Sequence, residues 1–583
     1  MTVSKSTTFP WTLATFITGY LLSLSSATKP YPLTWNVSHV FGYDGPWHAI
    51  PMKIGWPEQI INLYPGGAWS SVVLGSGLAD SFGFKYPNQT WLESSEVWNA
   101  SVSEPWRNGS TENYDIAGVN RGGVAGSLDG AWGGAAAMNM NGSSVQLTDR
   151  MTFATPDNGI TIPNISLSAV YEANIQYPDG DLVPMDMGFL SLGAHDAQGW
   201  DPYVGNLIPN FLASKQLTPS NSWSLHIGSA ALGIPGSLIL GGYDATRAIG
   251  DIGTYDTTDG YGGMFGQVVD VQLNVGSSSS SPWPFRNKTN LLLNAKNETQ
   301  TITARLNPTV PYLFLPNKTC EALAEYLPVT WRWDLGLYTW NTEDAKYKEI
   351  LTSPSYLQFV FARSGGQGPL TIKVPLALLN LTLAPPIVDT ETAYFPCRPY
   401  DNNGAEYHLG RAFLQAAFLG MNWVTSKWWL AQAPGPVALS SSIVNIENKT
   451  ETISTSAPDS FFTESWKGVL KDIPSQSSSS PGSGETSSDR EGSHSRDSLS
   501  GGAIAGIVIG ASVAATLICT FGFLFWKRRA RQDRLRAQQE VQHLYHGPNY
   551  HVKPAEISVV QNPQELHGSQ PPVYELTATE SYR

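Results

Sequence analysis

The stretch SWSLHIGSAALGIPGSLILGGYDATRAIGDI, Ser222 to Ile252, decides the fold class. Two short β-type runs, Ser224–Gly228 and Gly236–Asp244, are separated by glycine and proline turn formers rather than by a helix-length pattern. The same texture recurs in VVDVQLNV (Val268–Val275), YLQFVFA (Tyr356–Ala362) and LTIKVPLALL (Leu370–Leu379). Such spacing predicts an antiparallel, all-β protein. CEALAEYL (Cys320–Leu327), following the turn LPNKT, is one of few helical patterns.

Working outward, the 583 residues are 41% hydrophobic and only 14% charged, with 55 Gly, 40 Pro and 20 Trp. That profile suits a secreted, turn-rich chain rather than a helical cytosolic enzyme. A formal net charge of −13 argues against nucleic-acid binding, which needs a basic face. Residues 1–27 read as a signal peptide: Lys5, an apolar run, then small residues ending at Ala27. Gly501–Trp526 carries no charge and exceeds the roughly 20 residues that cross a bilayer. The basic run Lys527–Arg531 follows at once, so the expectation is one transmembrane helix with residues 28–500 outside and 527–583 as a cytoplasmic, disordered tail. This is a single-pass type I topology in the plasma membrane or secretory pathway.

Sequons at Asn36, Asn88, Asn99, Asn108, Asn141, Asn164, Asn287, Asn297, Asn317, Asn380 and Asn448 agree with an extracellular ectodomain. Of three cysteines, Cys519 lies in the expected span, which leaves Cys320 and Cys397 as one pair in an oxidising compartment. They are read as a disulfide, two buried free thiols being the alternative. Residues 436–500 turn Ser-rich and poor in apolar residues, the composition of a flexible stalk. In the tail, Pro571, Pro572 and Tyr574 form a Pro-Pro-x-Tyr sequence of the type that WW domains bind, which points to a WW-domain ubiquitin ligase as partner.

Several segments, taken in order, resemble one family. MKIGWPEQ (Met52–Gln59), MGFLSLG (Met187–Gly193), the Ser222–Ile252 block, RLNPTVPYLFLPNKTCEALAEYL (Arg305–Leu327) and YFPCRPYDNNGAEYHLGRAFLQAAFLGMNW (Tyr394–Trp423) are similar to the successive blocks of pepsin-like aspartic peptidases. LILGGYD and LGRAFL are the specific parts. The resemblance covers roughly residues 40–433 and suggests a fungal, membrane-anchored member. It implies a bilobal double β-barrel, with lobes at 28–245 and 246–435 around a cleft for extended chains. It also matches Cys320 and Cys397 to the second-lobe disulfide.

The family's chemistry needs two aspartates, one per lobe, each in an Asp-Thr/Ser-Gly turn. At about 3 Å apart the two carboxyls cannot both ionise; one activates water and the other hydrogen-bonds to the amide carbonyl. On this resemblance both positions are vacated. Counting seven residues on from Gln59 gives Gly66, and aligning the glycine of YPG instead gives Tyr64. Counting back nine from Pro316 gives Asn307, which keeps the shape of Asp without its ionisable proton. Ser191 replaces the supporting glycine of the first lobe, whereas Gly410 retains that of the second. Tyr114 is the candidate flap tyrosine. Asp80 and Asp115 are alternative acids, and both are read as solvated loop residues.

Other chemistries fit less well. Ten scattered His without H-E-x-x-H argue against zinc, no G-x-S-x-G elbow occurs, and no metal or cofactor is expected. The expectation is a non-catalytic surface glycoprotein whose cleft binds an extended peptide or cell-wall polymer. An active membrane-anchored aspartic endopeptidase is the alternative.

Overall fold

The computed structural model describes residues 28–474 apart from 68, 76–95, 100–102, 104–112, 117–118, 123, 128–133, 154–158, 195–204, 258–262, 364–366 and 401–405. The chain is mostly β, as its short runs between glycine and proline breaks predict. Among the described residues no helix is long and apolar enough to cross a membrane. The signal peptide, the 501–526 span and the Pro571–Tyr574 motif lie outside the described residues.

The first large sheet runs in the order Leu182–Pro184, Thr161–Gln176, Met140–Phe153, Trp47–Ile54, Gln59–Pro65, Gly188–Leu190, Ser71–Gly75, Val97–Trp98. Ser71–Gly75 also pairs in parallel with Thr161–Gln176, so six of these strands close into a ring. The second large sheet runs Leu370–Pro375, Ser355–Phe361, Phe265–Val275, Ile302–Leu306, Tyr407–Leu409, Leu313–Leu315, Cys397–Pro399. No corresponding pair closes it among the described residues. A third, six-stranded sheet mixes both parts of the chain: Tyr31–Pro32, Ser237–Leu240, Ser222–His226, Ala417–Asn422, Lys427–Gln432 and Ile249–Asp256.

One motif appears in both large sheets. Gln59–Pro65 turns into Ser71–Gly75, and the later strand Gly188–Leu190 inserts between them, parallel to the first and antiparallel to the second. Ile302–Leu306 turns into Leu313–Leu315, and Tyr407–Leu409 inserts in the same way. Each inserted strand holds a turn open at its own end, which is how the fold presents a candidate site twice.

The opening block behaves as two strands joined by a kink. Gly241 has φ +73°, where a Cβ would meet Thr218 at 2.6 Å, so only glycine lets the chain leave the six-stranded sheet here. Gly242–Asp244 then pairs with Ile443–Asn445. That second pairing corrects the stalk boundary, because residues 436–474 are packed on the body and do not form a free tether. Ser441 and Ser442 donate to the Asp244 carboxylate, and Ile446, Ala457, Phe462 and Trp466 are buried. Few apolar residues suffice because each enters a site already formed by the sheets.

The core is rich in tryptophan: Trp98, Trp223, Trp428 and Trp429 are fully buried, and Trp428 stacks on Tyr255 at 4.4 Å. The helix expected from Cys320 starts earlier, at Asn317, and ends at Ala324, with Pro316 at its N-cap. A disulfide joins Cys320 on that helix to Cys397, with Cα atoms 5.7 Å apart. It ties the helix to the strand beside Leu313–Leu315.

Candidate functional site

The two turns created by the inserted strands are equivalent atom for atom at their entry. Gly66 donates its N–H to Leu190 O at 3.0 Å, and Asn307 donates its N–H to Leu409 O at 3.1 Å. Each is the first residue past its strand, and each bonds to the last residue of the inserted strand. This correspondence makes Gly66 the partner of Asn307. Tyr64 lies two residues earlier, fully buried within its strand.

The turns meet face to face. A Cβ placed on Gly66 would stand 2.7 Å from Pro308 Cγ and 3.2 Å from Thr309 Cγ2. With φ +140°, Gly66 occupies a conformation that favours glycine, so contact and backbone together exclude a side chain there. Neither Gly66 nor Asn307 brings a carboxylate to this junction. Around it, Ser191 Oγ donates to Trp69 O at 2.6 Å and receives Gly193 N–H at 3.1 Å, so the hydroxyl braces the first turn. At the matching place in the second turn a Cβ on Gly410 would collide with the carbonyl oxygens of Val310 and Tyr312, so glycine is required.

Asn307 is buried and its amide is orientated by its neighbours. Thr309 N–H and Thr309 Oγ1 donate to Oδ1 at 3.0 and 2.6 Å, which turns Nδ2 toward His408 Nδ1 at 3.3 Å. The His408 nitrogen must then be an acceptor. Burial pushes His408 down to about 4, with the Arg305 charge adding to the effect, and the neutral ring suits that role. Replacing Asn307 by Asp sets an opposite charge beside this ring. The expected outcome is a His408 titration raised by roughly one to three units. Histidine ring NMR measures it, and a titration left near 4 would refute this geometry.

Beneath the turns lies a charged cluster that sequence reasoning missed. Arg411, directly after Gly410, stacks on the rings of Tyr64 at 4.2 Å and Trp47 at 4.9 Å. It pairs with Asp44 at 3.4 Å and donates to the carbonyls of Thr309 and Pro308 at 3.1 and 3.4 Å. Asp44 also accepts from Trp47 Nε1 at 2.6 Å. Asp186 accepts from the Tyr64 hydroxyl at 2.9 Å. The signal available in sequence was one cation inside the apolar block LGRAFLQAAFLG and one acid inside MDMGFLSLG.

Burial pushes Asp186 up to about 6, helped by the Asp44 charge, while Arg411 and the Tyr64 hydrogen bond pull it back. A carboxyl raised above its unfolded value of 3.8 binds its proton more tightly in the native state. Its contribution is therefore complete below about pH 4 and lost as pH rises to about 6. His226 and His408, held neutral by burial at about 3 and about 4, pull the other way as pH falls. The Asp186 effect is thus read as a difference. At pH 7 Asp186→Asn is expected to be more stable than wild type by about 2 kcal/mol, and the gap should close toward pH 4. Urea unfolding at both pH values checks this; a constant gap would rule it out.

Of the other expected residues, Asn287, Asn297 and Asn448 are exposed, and Asn36, Asn99, Asn164, Asn317 and Asn380 are half-buried. Asn141 lies in the strand Met140–Phe153. Asn88, Asn108 and Asp80 lie outside the described residues. Tyr114 and Asp115 lie on the strand Asn113–Ile116, paired with Val119–Gly122 as a separate hairpin. Among the described residues no group of three or more His, Cys, Asp or Glu could hold a metal ion. Cavities of about 560 and 300 Å³ lie away from the turns, one against Trp466 and Lys373, the other against Asp181 and Asp334.

Compared with models of known protein families and with curated proteins, the chain finds no match.

Proposed function

We propose that this chain is a non-catalytic relative of the pepsin-like aspartic peptidases: a bilobal, double β-barrel ectodomain of a single-pass type I surface glycoprotein. The observation that carries the reading is the pair of equivalent, abutting turns whose entry residues are Gly66 and Asn307. A paired-acid hydrolase needs two carboxyls within hydrogen-bonding reach of one water, and removing either forfeits orders of magnitude in rate. The sequence blocks quoted above, the Cys320–Cys397 disulfide and the twice-used inserted strand support the family. The sequons and the apolar run 501–526 support the surface location. An interlobe cleft without acids binds an extended peptide or a cell-wall polymer and does not cut it. A WW-domain ligase at Pro571, Pro572 and Tyr574 would govern its sorting.

Purified full-length protein is expected to show no proteolysis at acidic pH, with or without pepstatin. Calorimetric titration against peptides and glucans is expected to find a ligand. The active-endopeptidase reading has one observation in its favour: Asp44 and Asp186 lie close enough for one charge to raise the other. Asp44, however, is buried and engaged by Arg411 and Trp47, and Asp186 is half-buried and engaged by Tyr64. Pepstatin-sensitive cleavage abolished by Asp186→Asn would establish that second reading and end the first.

A further inference from the structure

Arg398 is the second buried guanidinium near the junction of the two large sheets, and its situation differs from that of Arg411. Arg411 has a carboxylate and two carbonyl oxygens. Arg398 keeps only 8% of its surface exposed, its Nη1 is buried with no partner, and among the described residues it forms no ion pair. What surrounds it is aromatic. Its Cζ lies 5.3 Å from the ring centre of Tyr312, 5.5 Å from that of Tyr177 and 6.0 Å from that of Phe314. Ring faces attract a cation, yet they leave its N–H groups without acceptors, and a buried charge is ordinarily paired.

We propose that Arg398, with Tyr177 and Tyr312, forms a binding slot for a carboxylate supplied by a ligand. A guanidinium offers parallel N–H donors that match the two oxygens of a carboxylate. The hydroxyls of Tyr177 and Tyr312 lie 3.3 Å apart. One hydrogen serves the contact between them, which leaves the other free to donate to an oxyanion. Asp44, the carboxylate whose field reaches both tyrosines, is committed to Arg411 and Trp47. The ring-lined walls favour a flat carboxylate over a tetrahedral phosphate, and the small exposed fraction admits an end group, not a chain interior.

The slot is rigidly built. Arg398 sits on Cys397–Pro399, held by the disulfide and by parallel pairing with Leu313–Leu315. Tyr177 comes from the first sheet's side, following Thr161–Gln176, so both parts of the chain contribute a wall. The proposal stands independently of the vacated-turn reading, since it concerns other residues and an equilibrium, not a reaction.

The test uses the full chain and melting temperature at matched ionic strength against sodium chloride. Sodium acetate probes a free carboxylate, N-acetylalanine a chain-end carboxylate, N-acetylalaninamide the uncharged control and inorganic phosphate the tetrahedral anion. Acetate or N-acetylalanine is expected to raise the wild-type melting temperature with dose, and the amide and phosphate are not. The tighter of the two acids identifies the source. Arg398→Met, which keeps the volume and removes the fork, is expected to weaken the carboxylate at least tenfold. Tyr177→Phe, a milder change that keeps the cation, is expected to weaken it two- to fivefold. No carboxylate response in wild type, or an undiminished response in both variants, overturns the proposal.

Discussion

Arg411→Met is expected to cost about 3–5 kcal/mol of folding stability, the usual loss when one partner of a buried ion pair is removed. Methionine fills much of the same volume, so the loss reports electrostatics more than packing. Arg411 is almost entirely buried, with 4% of its side chain exposed against 10% for Asp44. Without it, the Asp44 carboxylate keeps only Trp47 Nε1 as a described side-chain donor, and the Thr309 and Pro308 carbonyls lose a donor. Stacking on Tyr64 and Trp47 is lost as well, each desolvated cation–π contact being worth up to about 2 kcal/mol. Asp186, which Arg411 now restrains, should titrate above 6 in the variant. Urea unfolding at pH 7 measures the loss. Adding Asp44→Asn should recover part of it, because the orphaned charge goes too. A loss under about 1 kcal/mol would show that Arg411 does not hold the turns.

Removing the disulfide is the other large effect. Cys320 and Cys397 are 77 residues apart, and closing a loop of that length restricts the unfolded chain by about 4 kcal/mol in the chain-entropy account. Alanine at both positions removes two fully buried sulfur atoms, a packing loss that is small beside that figure. The double variant is therefore expected to shift the urea midpoint by about that free energy, and reduced wild type should unfold at a similar midpoint. The helix Asn317–Ala324 is expected to loosen first, since the bond anchors it to Cys397–Pro399. An unchanged midpoint would mean that the sheets alone hold the segment.

These two expectations differ in how far the sequence announced them. The cysteine pair was readable by elimination, because Cys519 falls in a run of different character. Arg411 was not. Its charge stood out in an apolar block, but which acid it meets depends on Asp44, more than 360 positions away in sequence, being folded against it. The same holds for Asp186 and Arg398. A buried polar group announces itself only weakly in local sequence, since its burial is a property of neighbours that arrive from other strands.

By itself the sequence determined the β class, through short runs between glycine and proline breaks, a local property set by backbone preference. Counting along the family resemblance placed the second turn at Asn307 and left Gly66 and Tyr64 open for the first. The tertiary structure alone decided that the two turns touch and that Ser71–Gly75 closes the first sheet on Thr161–Gln176. It also decided that 436–474 is part of the body and that a guanidinium lies beneath both turns. Those outcomes rest on pairings between distant segments, whose energy comes from burying both partners together, and no single stretch of chain carries that information.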